Sequence, residues 1–227
     1  MPAEPSRRQD SVMDSVVIDP PVLYPGTPVV LLSSANADGT ANLAPMSSAW
    51  VLGRTAVLGL GATGHTFANL RERPGCVLNY ASAELWPAVE RLAGLTGAPV
   101  VPEHKAGQFR TERDKFGAAR LTAVPADLVA AARVAECPLQ VECRVTAARH
   151  PGDPAVGIVE AEVLRVHVHP ALAEPDLRHI RVAAWEPLFY VFRHYVGRGP
   201  ELGRTFRATS ARTPTAFPDR RARSRDA

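Results

Sequence analysis

The stretch PVVLLSSANADGTANLAPMSSAWVLGRTAVLGLGATGHTFANLRERPGCVLN, residues 28–79, decides the fold. Val29 to Ser34 is a β-branched and leucine-rich run, and Asn36-Ala37-Asp38-Gly39 tolerates positive φ, so a strand and a tight reversal are expected. A second strand is expected from Thr40 to Trp50, where Asn42, Ser47 and Ser48 set hydrogen-bonding groups among Leu43, Ala44, Pro45 and Met46. Those small side chains leave the backbone accessible. A third strand, Thr55 to Leu60, runs into Gly61-Ala62-Thr63-Gly64-His65-Thr66, which opens a short helical stretch ending before Pro74-Gly75. Glycines allow close backbone approach, while the Thr63 and Thr66 hydroxyls and the free N–H groups of a helix start can hold an anion such as phosphate. On the local pattern alone, Thr66 as a simple helix cap and Ser47 and Ser48 as ordinary strand residues explain the run equally well.

Outward from this stretch, composition sets the class. The chain has 227 residues, 46% of them hydrophobic, which suits one sizeable domain with a full core. Its 21 prolines and 16 glycines fall between short apolar runs and favour a β-rich body over a helical bundle. The net charge of +3 is unevenly placed: residues 204–227 hold seven arginines and two aspartates, a net of +5, leaving −2 for the rest. Charge therefore gives a nucleic-acid or membrane partner of the folded body no support. Cys76, Cys137 and Cys143 form no CxxC pair, so they are expected as buried thiols in a reducing cytoplasm rather than as a disulfide framework. Ser6-Arg7-Arg8 is followed by Gln9-Asp10 and Asp14 instead of an apolar run, so export is not expected, and no apolar run reaches membrane-spanning length.

Three parts follow: a mobile arm over residues 1–15, one domain over 16–203, and a disordered tail over 204–227 whose composition cannot support a packed core. Within the domain, Cys76 to Tyr80 reads as a strand, and Ser82 as the cap of a helix over Ala83 to Ala93 that buries Leu85, Val89 and Leu92. Residues 94–122 lack strong periodicity and are a candidate lid, with a surface excursion holding one short helix around Thr111 to Ala118 as the equal alternative. Leu139 to Val145 alternates as a half-buried strand. Between Val156 and His169 the apolar face changes parity at Val163-Leu164, which implies a bulge of the kind small closed barrels require. His167 and His169 sit two apart, with no cysteine or carboxylate of evident ligand spacing, so no metal site is expected. Trp185 to Tyr195 concentrates aromatics at helical spacing and reads as a core helix.

The sequence carries no G-x-S-x-G, H-E-x-x-H or G-x-x-x-x-G-K-[ST] pattern. Gly59-Leu60-Gly61 is its nearest approach to a dinucleotide-binding glycine run, and no Rossmann site is expected.

Taken in order, Asp38-Gly39, Asn42-Leu43-Ala44-Pro45-Met46-Ser47, Thr66-Phe67-Ala68-Asn69-Leu70 and Val77-Leu78-Asn79 resemble the flavin reductase-like family of FMN-binding split barrels, over roughly residues 20 to 200. The resemblance implies a mainly β split barrel with short peripheral helices, FMN as cofactor, NADH or NADPH as candidate co-substrate, a homodimer, a small-molecule substrate and a monooxygenase as candidate partner. By the same resemblance Asn42, Ala44, Pro45, Met46, Ser47, Ser48 and Ala49 would lie against the isoalloxazine, with Trp50 as an aromatic wall. Gly61, Ala62, Thr63, His65, Thr66 and Asn69 would take the ribityl and phosphate end, with Asn79 as a further candidate. The 185–195 segment would lie near the subunit contact. Many flavin reductases of the family carry Gly-Asp-His late in the barrel, whereas this chain has Gly152-Asp153-Pro154, so FMN binding is better supported than nicotinamide turnover. A flavin carrier or sensor without nicotinamide turnover, and nucleic-acid binding through the basic tail, are the alternatives.

Overall fold

The computed structural model describes residues 15–203 and residue 205, so the expected arm and tail lie outside the described residues apart from Ser15 and Thr205. In chain order the strands are β1 (Pro25–Pro28), β2 (Val30–Ala35), β3 (Ala41–Met46), β4 (Ala49–Leu52), β5 (Thr55–Gly61), β6 (Gly75–Tyr80), β7 (Leu95–Thr96), β8 (Arg110–Thr111), β9 (Ala123–Val124), β10 (Arg133–Val134), β11 (Leu139–Arg149), β12 (Val156–Val168), β13 (Phe189–Val191) and β14 (His194–Val196). The α-helices are α1 (His65–Glu72), α2 (Trp86–Ala93) and α3 (Lys115–Ala119).

Seven strands form one antiparallel sheet in the order β3-β2-β6-β11-β12-β5-β4, and its two edges are consecutive in the chain. A flat sheet of this size would put its edges about 29 Å apart. The three steps from Met46 to Ala49 reach at most about 11 Å. The sheet must therefore curl until β3 and β4 nearly meet, and since those two strands do not pair, the barrel is split there. The run from Thr40 to Trp50 is thus two strands on opposite edges rather than one, because Ser47 and Ser48 leave one ladder and enter another: the Gly59 N–H already donates to the Ser48 carbonyl at 2.7 Å.

Both faces of β2 are covered, which accounts for its unbroken apolar run. Val30 and Leu32 point into the barrel with Leu58, Phe67, Leu70, Leu78, Val141 and Val159. Leu31 and Leu43 face a second cluster made by α2, α3 and the 116–137 region, with Val89, Leu92, Phe116 and Leu188. Leu31, Leu32 and Leu78 are fully buried, each worth about 1.5 to 3 kcal/mol. α1 lies on the barrel end, its Phe67 ring so close to Gly157 of β12 that a Cβ there would fall 2.4 Å from the ring.

The parity change at Val163-Leu164 is a bulge: Cys143 pairs with Val163 and Glu142 with Arg165, so Leu164 is the extra residue. Arg54 satisfies the displaced carbonyls, donating to Val163 O at 2.6 Å and Leu164 O at 3.0 Å. The expected helix over Trp185 to Tyr195 is instead the β13–β14 hairpin, turned by Phe192 and Arg193, both at positive φ, and paired with β1. The helical spacing misleads because the aromatics recur on both sides of a two-residue turn, where Tyr190 faces Tyr195. Ser82 makes no side-chain cap; a 3-10 turn over Ala83–Leu85 leads into α2, with Pro87 in its first turn.

β11 is buried on both faces through Glu142, not half-buried from its start, because residues 125–138 cover Gln140 and Glu142. The wholly buried Glu142 carboxylate accepts from Asp127 N at 3.0 Å, Leu128 N at 2.7 Å and His167 Nε2 at 2.6 Å. Burial pushes its pKa up, but these hydrogen bonds outweigh burial and hold it below the ordinary carboxylate value. Glu142 and Asp127 thus bring carboxylates within 4.8 Å of His167 from distant parts of the chain, which ligand spacing in the sequence does not reveal. Asp127 pairs with Arg165, and His169 caps the following turn by accepting from Ala171 N at 3.2 Å. Cys76, Cys137 and Cys143 are free and buried. Among the described residues no helix is long and apolar enough to cross a membrane.

Candidate functional site

Where the chain crosses from β3 to β4 the split opens into a cleft of about 410 Å³. Pro45, Met46, Ser47 and Ser48 form one side, Gly59, Leu60 and Gly61 another, and Val89 and Ala93 of α2 with Tyr24, Tyr190 and Tyr195 complete it. The volume suits a small organic ligand, and the lining pairs apolar surface with hydroxyls and backbone. Tyr24 and Ser48 share a hydrogen bond of 2.5 Å. The three tyrosines make edge contacts in series, 5.4 Å between Tyr24 and Tyr190 and 6.0 Å between Tyr190 and Tyr195. Tyr195 donates to Glu90 at 3.0 Å. Burial, then this carboxylate, pushes the phenol well up, so it stays a neutral hydrogen-bond donor.

Gly61 at the cleft leads through Ala62, Thr63 and Gly64 into α1. Gly59, Gly61 and Gly64 do satisfy the G-x-G-x-x-G spacing between a strand and a helix, but β5 is antiparallel to both neighbours and belongs to no βαβ unit, so the dinucleotide geometry does not follow. What survives is the glycine-lined approach to a helix start. A Cβ on Gly61 would meet nothing within 4 Å, whereas one on Gly64 would lie 2.9 Å from the Gly61 carbonyl. No side chain caps α1, and no acidic residue lies in its first turn. Thr66 is therefore not the cap: it lies inside the first turn, buried, accepting from Asn42 Nδ2 at 3.0 Å and keeping its own hydroxyl proton free to donate.

Behind this helix start lies a buried polar layer. Asn42 Nδ2 also donates to Ser34 Oγ at 3.1 Å, while Asn42 Oδ1 is buried with no partner. Asn69 donates to Asn36 Oδ1 at 3.0 Å and accepts from Arg73 at 2.8 Å. His65 Nε2 lies 2.8 Å from the same Asn36 oxygen. That oxygen is an acceptor, so His65 donates through Nε2. Burial first, then the charges of Lys115, Arg73 and Arg113, lowers the His65 pKa and favours the neutral imidazole near neutrality. The uncapped helix start, with its free first-turn amides and the Thr66 hydroxyl, fits the anionic end of a nucleotide, whereas the unpartnered Asn42 Oδ1 is an acceptor and calls for a donor; the adjoining cleft fits an apolar ring.

Of the sequence-predicted residues, Pro45, Met46, Ser47, Ser48 and Gly61 line the cleft, and Asn42, His65, Thr66 and Asn69 form the layer behind α1. Ala44, Ala62 and Thr63 stand beside these residues without lining the cleft. Ala49 belongs to the barrel core. Trp50 is 55% exposed on β4 and not part of the cleft, whose aromatic wall is the tyrosine series. Asn79 is wholly buried: it donates to Leu31 O at 2.8 Å and accepts from Val134 N at 2.8 Å, fastening β10 to the sheet. Sequence reasoning missed Tyr24, Tyr190 and Tyr195 as lining residues; the aromatic cluster of the 185–195 segment was the only signal for two of them. The candidate lid of residues 94–122 is pinned rather than loose. Leu95 and Thr96 pair with Arg110 and Thr111, Arg113 pairs with Asp38, and a Cβ on Gly97 would fall 2.5 Å from His65 Cδ2 and 2.7 Å from Asn42 Oδ1. The short helix expected there is α3. The Gly152-Asp153-Pro154 turn also approaches the site, because the Ala62 N–H donates to the Ala155 carbonyl at 2.9 Å. A wider groove of about 1030 Å³, lined in part by Ser82, Arg133, His167 and Trp185, holds none of the sequence-predicted site residues.

Comparisons with known proteins agree with this architecture. The family model described as "Flavin reductase like domain" matches residues 25–198. A curated relative, the uncharacterized protein YdfE of Bacillus subtilis (strain 168), is 39% identical over 193 residues, covering 84% of this chain and 93% of its own. Among solved structures, flavoredoxin of Desulfovibrio vulgaris (Miyazaki F) superposes with a TM-score of 0.71 at 19% identity, covering 87% of this chain and 100% of its own. Nitrilotriacetate monooxygenase component B from Bacillus cereus superposes with a TM-score of 0.64 at 18% identity, covering 81% and 89% respectively. The split barrel, its glycine-lined approach to α1 and a family match spanning the folded body together show that the chain belongs to the flavin reductase-like family, whose chemistry is that of flavin-related oxidoreductases.

Proposed function

We propose that this chain is an FMN-dependent oxidoreductase working as a homodimer, in which the cleft takes the isoalloxazine ring and the start of α1 takes the ribityl phosphate. The observation that carries this reading is the continuity of the cleft, through Gly61 to Gly64, with a helix start that has no side-chain cap and no acidic residue in its first turn. Bound flavin supplies the electron-transfer chemistry. The chain's part is to position it and hold charge. Pro45 to Ser48, with Tyr24, Tyr190 and Tyr195, line the cleft and would hold the ring there and limit its contact with water. Ser48, bonded to Tyr24, keeps a hydroxyl fixed at the cleft, and the neutral phenol of Tyr195 adds no negative charge there. The Thr66 hydroxyl and the first-turn amides of α1 are donors suited to a phosphate.

NADH or NADPH is the co-substrate of this reading, with reduced flavin passed to a small molecule or to a monooxygenase partner. Likeness to a monooxygenase component B supports it. A second reading, an electron carrier without nicotinamide turnover, is favoured by Pro154, which follows Gly152-Asp153 where the family pattern has histidine, and by the likeness to a flavoredoxin. Anaerobic addition of NADH or NADPH to the FMN-loaded protein separates the two. Bleaching of the visible flavin band faster than free FMN is bleached supports the reductase. Bleaching by a chemical reductant alone supports the carrier.

A further inference from the structure

The groove of about 1030 Å³ shares no lining residue with the cleft. Beside it β11, β12 and the 125–138 segment meet at the Glu142–His167 pair. Glu142 is wholly buried, and both its oxygens already accept, from Asp127 N, Leu128 N and His167 Nε2. A carboxylate so placed is ionised, so the hydrogen in the 2.6 Å contact belongs to His167 Nε2. Neutral His167 therefore carries its lone pair on Nδ1, which has no partner among the described residues, and the ring lines the groove with 19% of its side chain exposed. A carboxylate behind the ring makes the other nitrogen a stronger acceptor, as it does for metal-bound histidines. His169 is fixed the other way round: its Nδ1 accepts from Ala171 N at 3.2 Å, so Nε2 carries the hydrogen and cannot accept. With Asp127 taken by Arg165 and a single imidazole lone pair on offer, the groove does not assemble the ligands of a metal ion.

The remaining side chains set the charge. Glu84, Glu136 and Glu186 stand against one guanidinium, Arg133, a net of −2 with both imidazoles neutral. Arg133 is engaged with Gln140 Oε1 at 3.0 Å and the Pro125 carbonyl at 3.1 Å. Glu136 accepts from Thr122 N, and Glu186 lies 3.7 Å from Arg198, whereas Glu84 has only a 3.4 Å contact from the Ser82 hydroxyl. Leu85, Leu172 and Trp185 add apolar and aromatic surface. Carboxylates, an aromatic ring and an imidazole lone pair are groups that recognise an organic cation, and an anionic ligand would meet only a guanidinium that is already bonded.

We infer that the groove is a second binding site, taking a small organic ammonium ion with an apolar or aromatic body, and that His167 Nδ1 accepts its N–H. Glu142 touches no ligand in this site; it is a positioning residue that fixes the tautomer able to accept. The site stands on β11, β12 and the 125–138 segment and is independent of the flavin reading.

Isothermal titration calorimetry of the full chain tests this with benzylamine, protonated at neutral pH, and its neutral and anionic counterparts benzyl alcohol and benzoate. Benzylamine should bind saturably and at least about tenfold more tightly than benzyl alcohol, and benzoate not at all. His167→Gln keeps an N–H donor for Glu142 and removes the Nδ1 lone pair, so benzylamine affinity should fall about tenfold with the protein still folded. Glu84→Gln, at an exposed position, should weaken benzylamine about two- to fivefold, and salt should abolish that difference. Benzyl alcohol should respond to neither substitution. Absence of saturable benzylamine binding, equal affinity for benzylamine and benzyl alcohol, or unchanged benzylamine affinity in His167→Gln overturns the assignment. Displacement of benzylamine by FMN would locate it in the cleft and overturns it too. Should His167→Gln fail to fold, Glu84→Gln decides in its place, and unchanged benzylamine affinity there overturns it.

Discussion

Replacing Glu142 by glutamine tests whether a buried carboxylate, rather than apolar packing alone, holds residues 125–138 onto the barrel. Its two oxygens divide the donors: Oε1 accepts from Asp127 N and His167 Nε2, and Oε2 from Leu128 N. Glutamine presents one acceptor oxygen and one NH₂ group. In the milder orientation the NH₂ faces Leu128 N–H, so one charge-assisted bond worth about 1.5 to 3 kcal/mol is lost and two donors are left opposed. The two surviving bonds lose their ionic character. Together these put the cost at about 3 to 5 kcal/mol, the range for breaking one side of a buried charged network. For a chain of this size that corresponds to an unfolding temperature lower by about 6 to 20 °C. The pH dependence carries a sign. The folded-state pKa of Glu142 is lowered, so its contribution is fully present above the ordinary glutamate value and is lost as pH falls through the folded value. Thermal unfolding followed by near-ultraviolet circular dichroism should show the full gap between wild type and Glu142→Gln at neutral pH, closing on acidification. A gap below about 2 °C at neutral pH, or one that widens in acid, refutes the reasoning.

Three further predictions concern the site. Gly97→Ala inserts a Cβ 2.5 Å from His65 Cδ2 and 2.7 Å from Asn42 Oδ1; the segment must lift, costing about 1 to 3 kcal/mol, and limited proteolysis should cut residues 94–122 faster than in the wild type. Thr66→Val removes both the acceptor for Asn42 and a donor to phosphate, so FMN affinity should fall about ten- to a hundredfold while riboflavin changes much less; equal losses would make Thr66 purely structural. Gly157→Ala drives a methyl into the Phe67 ring at 2.4 Å, and chemical denaturation should show a loss of about 1 to 3 kcal/mol as α1 is pushed off the barrel end.

Much of the barrel was legible because its signals are local. Asp38-Gly39 specifies a reversal, and Gly39 takes φ of 81° in it. The parity change at Val163-Leu164 can be read from a single strand, and the bulge lies there. The crossover at Ser47-Ser48 was not legible, because nothing in a run of small residues says that its halves pair with different partners; that is decided by closure of the whole sheet. The 185–195 hairpin was missed because periodicity cannot separate a helix from two short strands across a tight turn. Glu142 looked like a solvent-facing residue of an alternating strand, and only the return of residues 125–138 over that face shows it to be buried. At the site, the run from Gly61 to Thr66 was legible as a glycine-lined helix start. The tyrosine wall was not, since its members reach the cleft from distant parts of the chain.

The central claim is that the cleft and the start of α1 together bind FMN, and titration of FMN fluorescence with the purified full-length chain tests it most directly. The account predicts saturable quenching that levels off at a fixed stoichiometry and is weaker for riboflavin than for FMN. Emission that stays unchanged across the titration, with the protein folded by circular dichroism, would contradict it.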